Sequence, residues 1–432
     1  MKRSVPPADG SHARRDAPPP APKQGQGVVR VLTDRNFGPY LVGNLASNCG
    51  SWFQNIAQAL LLYRLTHSTM LVAVANFAQF AGVLILAPWA GRVADRFDRR
   101  KLLLVVQVAS LVVALTLTLV AYAGGDDVPV IMGAALLLGL GTAFATPSMQ
   151  ALVPGLIRRE DMPTAVAMNT VTFTLARSVG PVLGALVVAN WGIPAAFAVN
   201  ASSYVILILA LLVVRPRSTG PRPATGRSTL RATWRSLRTD QTVVLLLAVV
   251  ACVAISGDPV NTLTPALATQ VFHLRDTTVG ILIGAFGLGS VVAAFVRQPD
   301  DIRRLAALMT VMGAATIAVG LSVDLAMALV AFFVAGFGFL STQTAATVRL
   351  QMRVSEAERG RAMALWSMAW LGTRPLASLV DGAIASMAGV RAAAAAMALP
   401  VLLGSVLVLA VFRRPTPSAT IEPASLGQEE RL

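Results

Sequence analysis

Apolar runs long enough to cross a bilayer alternate with short polar turns along most of this chain. Residues 70–90 hold no charge, and neither do residues 102–123. A spanning helix needs about 20 mostly apolar residues, and runs of this length cannot belong to the surface of a soluble domain. The pattern predicts twelve helices, at about 37–63, 70–90, 102–123, 128–153, 164–190, 194–214, 242–268, 277–297, 303–322, 325–349, 361–388 and 392–412. Most connections are short, so neighbouring helices run antiparallel. The expected fold is an all-α membrane protein of twelve transmembrane helices in two pseudo-symmetric six-helix bundles.

The one long interior break is 215–241. It carries Arg215, Arg217, Arg222, Arg227, Arg231, Arg235 and Arg238 against the single acid Asp240. It reads as a basic cytoplasmic linker, and the surroundings of Leu230, Trp234 and Leu237 suit a short helix lying on the membrane surface. The chain then divides into a disordered cytoplasmic tail (1–35), a first six-helix bundle (36–214), the linker, a second bundle (242–412) and a second disordered tail (413–432). The first tail lacks the apolar core of a signal peptide.

Composition agrees with the pattern. Hydrophobic residues make up 55% of the chain and charged residues 13%, against roughly 25% charged in soluble domains. The net charge of +15 would suit nucleic acid if it lay on one face. It is spread through short turns instead, so no nucleic-acid partner is expected. Of the 36 Lys and Arg residues, Arg64, Arg275 and Arg391 fall in one set of turns and Arg177 and Arg374 inside helices, leaving 31 for the other side. By the positive-inside rule both termini are cytoplasmic.

The two bundles echo each other. Residues 159–180 align with a stretch 197 positions later, and the alignment sets Arg177 in register with Arg374. In both copies a charged turn precedes a helix with one arginine near its middle.

Between the second and third apolar runs lies Gly91-Arg-Val-Ala-Asp95-Arg96-Phe-Asp98-Arg99-Arg100-Lys101. Its spacing resembles the signature loop between helices 2 and 3 of the major facilitator superfamily, with Asp98 where that family usually has glycine. The resemblance implies the superfamily's fold and a conformational-switch role for Gly91, Asp95, Arg96, Arg99 and Arg100. Asn44 to Gln54, the Asp95-to-Arg99 form of the loop, and Ala176-Arg177-Ser-Val-Gly180-Pro181-Val-Leu-Gly184 resemble the bacterial efflux branch that includes the enterobactin exporter. Gly180-Pro181-x-x-Gly184 is also similar to the helix 5 motif of drug/proton antiporters, though Ala176 and Ala185 replace glycines of its full form. Physically, Gly180 and Gly184 permit close helix packing and Pro181 allows a bend.

No phosphate-binding loop is present. The lysines are Lys2, Lys23 and Lys101, and none has that context. The three histidines, His12, His67 and His273, form no metal site, and Cys49 and Cys252 lie in spans as packing residues. The chain reads as a non-enzyme with no metal and no cofactor, its energy coming from the proton gradient.

Polar residues inside spans are costly in lipid and face protein or water. Asn44, Asn48, Ser51, Asn55 and Gln58 repeat at steps of three and four along one helix face, either lining a cavity or bonding helices together. Asn76 and Gln79 extend the stripe. In the eleventh run Trp370 and Arg374 share a face with Asp381 and complete the candidate cavity with Arg177. Arg177 and Arg374 lie about 18 Å into their helices, and each needs a carboxylate, carbonyls or an anionic substrate. Asp258, beside Gly257 and Pro259, and Asp381 are the acids within spans and the candidates for proton coupling.

The function expected is secondary active export of a small amphipathic or drug-like molecule, such as an antibiotic, siderophore or metabolite, by proton antiport with alternating access. The setting is the bacterial plasma membrane, with a monomer in contact with lipid and its small-molecule substrate. Import or facilitated passage of a small solute is the alternative within transport. A non-transporting sensor or scaffold is the other, and the polar stripe favours transport over it.

Overall fold

The computed structural model describes residues 24–125, 127–216, 235, 238–274, 277–296, 301–354 and 356–413. In order, the helices are α1 (Gln24–Leu32), α2 (Phe37–Thr66), α3 (Thr69–Arg96), α4 (Arg99–Tyr122), α5 (Val128–Leu156) and α6 (Met162–Val213). After the linker come α7 (Gln241–Ser256), α8 (Pro259–Thr262), α9 (Thr264–Ala266) and a π-turn at Leu267–Val271. The remainder are α10 (Thr277–Phe295), α11 (Ile302–Leu321), α12 (Leu325–Arg353), α13 (Glu356–Leu371), α14 (Arg374–Ala388), α15 (Val390–Ala396) and α16 (Leu399–Arg413). Most of the linker and both outer tails lie outside the described residues, including the expected surface helix near Trp234.

Among the described residues eight stretches are long and apolar enough to cross a membrane: Arg99–Tyr122, Val128–Gln150, Val179–Val213, Gln241–Thr262, Thr278–Phe295, Ile302–Leu321, Leu325–Arg353 and Val390–Val411. The 35-residue stretch is broken by Gly192, whose φ of 82° lies outside the helical region. The helices below that measure include α2, α13 and α14, which carry the polar stripe and the intramembrane arginine and acid. Val105, Val112, Leu115 and Leu119 of α4 are exposed, the face that lipid covers.

Local chemistry sets the turns. Asp98 caps α4 by accepting from the Arg100 and Lys101 amides at 2.9 and 3.1 Å, which a glycine there could not do. Asp240 caps α7 through the Thr242 amide at 2.9 Å and pairs with Arg353 at 2.8 Å. Gly192 and Gly389, both with positive φ, turn the chain at corresponding points of the two sets of helices. So do His67 and His273, with φ of 48° and 50°.

Part of the expected N-terminal tail is structured. Val31 of α1 is fully buried beside Phe37, Tyr40 and Leu156, and Arg30 pairs with Asp161. One buried apolar face and one ion pair hold the segment down.

Three apolar cores organise the helices. One, around Leu41, Leu103, Leu156 and Leu211, lies wholly within α1–α6. A second, around Leu246, Met309, Leu350 and Val408, lies wholly within α7–α16. Both sit at the end where the termini emerge. The third joins the two sets: Phe53, Ile56 and Leu60 of α2 and Val72 of α3 share a core with Leu263, Leu267, Val279 and Ile283. This joint core lies at the opposite end, where α3 meets α14 and α10 meets α6. There Gly382 faces Ala73 so closely that a Cβ would fall 2.5 Å from the Ala73 methyl, and a Cβ on Gly280 would fall 2.8 Å from the Ala185 carbonyl. The two sets of helices are sealed at one end and separately packed at the other.

Candidate functional site

Two helix interruptions place the charges. The helix expected over 242–268 breaks at Gly257, where a Cβ would sit 2.4 Å from the Phe339 ring, and resumes at Pro259 after Asp258. The helix expected over 361–388 is not continuous either. It divides between Leu371 and Arg374, because Pro375 has no amide hydrogen and its ring clashes with the carbonyl four residues back. Asp258 and Arg374 thus both lie at breaks, where backbone and side chain are free to converge on a site.

They meet. Arg374 Nε lies 3.5 Å from Asp258 Oδ1, and both side chains are largely buried. The other Asp258 oxygen accepts from Ser378 Oγ at 2.6 Å and Thr262 Oγ1 at 3.2 Å. Neither hydroxyl stood out in the sequence, although each lies four residues from its charged neighbour and therefore on the same helix face. Asp381, two turns beyond Arg374, is wholly buried. Its two carboxyl oxygens have no hydrogen-bond partner, and the Asp258 carboxylate and Thr262 hydroxyl are its polar neighbours.

The cluster also touches the other set of helices. The Arg374 guanidinium lies 4.7 Å from the centre of the Phe80 ring of α3, a cation–π contact. Asn76 of α3 donates to Thr262 Oγ1 at 3.4 Å. Arg374 forms part of the wall of a small cavity with Trp52, Pro181, Asn261, Phe286, Ser290 and Phe339. Both sets of helices contribute to that wall. Phe286, Phe339, Trp370 and Trp366 form a chain of ring contacts at 5.3, 5.7 and 5.9 Å. Trp370 is buried and touches the cavity wall through Phe339.

The α2 stripe divides. Asn44 and Gln58 are buried, with Asn44 donating to Asn169 at 3.0 Å and Gln58 to the Ile131 carbonyl at 3.1 Å. Asn48 and Ser51 bond within their own helix and are part-exposed. Asn55 accepts from Gln79 at 2.8 Å. Gln54, not singled out by the stripe, is buried and bonded to Asn200. Gly180 and Gly184 pack α6 against α2, where added Cβ atoms would meet Trp52 at 2.7 Å and Phe53 at 2.9 Å. Pro181 lies within the helix.

In the loop, Arg100 donates to the Leu211 and Leu212 carbonyls at 2.5 and 2.7 Å and so closes the end of α6. Arg96 is exposed and Arg99 part-buried. Gly91 lies within α3, and the side chains of Asp95 and Arg177 are outside what the structure describes. Among the described residues no group of three or more His, Cys, Asp and Glu could hold a metal ion, and Cys49 and Cys252 are free thiols.

Helices packed in two sets, sealed at one end over a shared cavity with a buried ion pair, are the architecture of a multi-pass membrane transporter. A family model described as transmembrane secretion effector matches residues 31–430, and the chain belongs to that family, within the major facilitator superfamily. It is 25% identical to the enterobactin exporter EntS of Escherichia coli over 84% of this chain and 90% of that one. It is also 25% identical to the staphyloferrin A transporter of Staphylococcus aureus, over 57% of this chain, and 26% identical to macrolide efflux protein A of Streptococcus pyogenes, over 54%. In these last two comparisons the chain spans only 63% and 62% of the relative's length. Among solved structures, a bacterial homologue of the lysosomal transporter Spinster, inward-facing and occupied, superposes with a TM-score of 0.68 at 14% identity, over 91% of this chain and 97% of that one. A bacterial homologue of ferroportin, inward-facing, superposes with a TM-score of 0.65 at 15% identity, over 86% and 97%. Likeness at such identity speaks to the fold.

Proposed function

We propose that the protein is a secondary active exporter of the bacterial inner membrane that moves a small amphipathic or drug-like molecule outward in exchange for protons. The observation that carries this reading is the cavity: both sets of helices wall it, Arg374 belongs to it, and the joint apolar core lies at one end of the two sets. With 36–214 and 242–412 as rocking bodies and 215–241 as their tether, breaking that core and closing the other end would expose the cavity to the opposite side. The arginine distribution puts the termini in the cytoplasm, so the conformation described is the inward-facing one. The efflux relatives support the outward direction. Asn48, Ser51, Asn55, Asn76, Gln79 and Arg177 are the polar residues assigned to the substrate path, and the Asp258–Asp381 pair to coupling. In the loop, Asp95 with Arg96 and Arg99 is assigned to latching the two bodies in one state.

The test is accumulation of a panel of antibiotics, siderophores and dyes in expressing cells, with and without a protonophore. At least one compound is expected to be retained less in expressing cells, with the difference erased by the protonophore. In inverted vesicles Asp258→Asn is expected to abolish uphill efflux while downhill exchange survives. Efflux indifferent to both the protonophore and Asp258→Asn would replace proton antiport by another ion or by facilitation.

A further inference from the structure

We infer that the exchangeable proton of this site resides on Asp381, and that Asp258 is a positioning residue whose task is to hold Arg374. The inference rests on the coupling reading above and divides the labour within it. Asp258 has the partners an ionised carboxylate needs: a guanidinium at 3.5 Å and two hydroxyl donors at 2.6 and 3.2 Å. Asp381 has no guanidinium beside it and no exposed surface, and although the Thr262 hydroxyl and the Gly382 amide lie near it, neither oxygen has a donor within 3.5 Å. An ionised carboxylate so placed would be desolvated without compensation, whereas a protonated one is a neutral polar group of modest cost.

Among the described residues the charged neighbour of Asp381 is Asp258, from the interrupted helix, while Arg374, two turns back on its own helix, faces Asp258. The helix packed against the adjoining Gly382 from the other set brings Met70 and Ala73, and Asn76 of that same helix reaches Thr262, all three uncharged. Two carboxyls and one guanidinium are neutral with one proton, and the hydrogen bonds assign that proton to the acid that lacks them.

Arg374 then links cavity and proton. It is the member of the triad that forms part of the cavity wall, and its Phe80 contact reaches the opposite set of helices. If rocking brings the guanidinium within reach of Asp381, Asp381 gives its proton to water, and Asp258 keeps Arg374 at the site until Asp381 is protonated again.

Infrared difference spectroscopy of the full-length protein in lipid nanodiscs at neutral pH tests this without knowledge of the substrate. The wild type is expected to show one buried protonated-carboxyl stretching band, shifted in heavy water. Asp381→Asn should remove the band and Asp381→Glu should move it, while Asp258→Glu should leave it in place. A band that survives Asp381→Asn, moves in Asp258→Glu, or is absent from the wild type overturns the assignment. Should the band behave as expected while vesicles show no proton-driven efflux, the coupling reading fails and the location of the proton stands.

Discussion

Arg374 is the residue on which the site turns, since it faces an acid, an aromatic ring and the cavity at once. Removing one member of a buried ion pair costs about 3–5 kcal/mol, because the survivor stays desolvated and unpaired. Arg374→Gln is therefore expected to lower the melting temperature of the purified protein sharply. The double variant Arg374→Gln with Asp258→Asn should recover most of the loss, since it buries no bare charge. If the double variant melts no higher than the single one, the guanidinium stabilises through Phe80 and the helix break and not through Asp258. Asp258, Arg374 and Asp381 were each legible as residues whose presence inside an apolar run needs an explanation. Their pairing was not, because helical period reports which residues share a face and says nothing of which helix that face meets. Ser378 and Asp258, 120 positions apart, become neighbours only through the packing. The same limit explains the α2 stripe: its period was visible, but the division between Gln58, bonded to a neighbouring helix, and Ser51, part-exposed, depends on what lies opposite.

Among the elements, the informative departures are the broken helices. Gly257 and Pro259 announced the first break in the sequence. The second was hidden, because Gly372 and Pro375 sit in a run whose overall apolarity reads as one helix. Pro375→Ala would restore a backbone donor and remove the clash that separates α13 from α14. The expected result is a gain in stability of about 1–3 kcal/mol accompanied by loss of efflux, read by denaturation and by transport in the same preparation. Stability gained with efflux intact would mean that the break is tolerated and not used. The paired turns at Gly192 and Gly389, and at His67 and His273, extend the sequence echo between Arg177 and Arg374 to the backbone itself. Glycine signals its own positive φ, whereas a histidine in that region does not.

For the whole molecule, the organising feature is one joint core facing two separate ones, and this is the feature the sequence carried least. Every run is apolar, so composition cannot say which apolar faces meet across the two sets of helices. The narrow seam offers a direct handle. Gly382→Leu would drive a side chain into Ala73, where even a Cβ lies at 2.5 Å, and so should penalise the sealed state relative to its opposite. Asn261 provides the reporter, as an uncharged residue of the cavity wall. In a background lacking Cys49 and Cys252, Asn261→Cys is expected to react with an impermeant thiol reagent in inside-out vesicles and to be protected in right-side-out ones. Adding Gly382→Leu should raise labelling in right-side-out vesicles by about tenfold, equivalent to about 1.4 kcal/mol between the two states. Labelling that is equal from both sides in the parent variant would place the barrier elsewhere. Labelling from the right-side-out face alone would put the termini outside the cell and reverse the orientation drawn from the arginines. If Gly382→Leu leaves labelling unchanged while the protein remains folded, the contact between α3 and α14 is packing that moves with the cavity and not the gate that closes it.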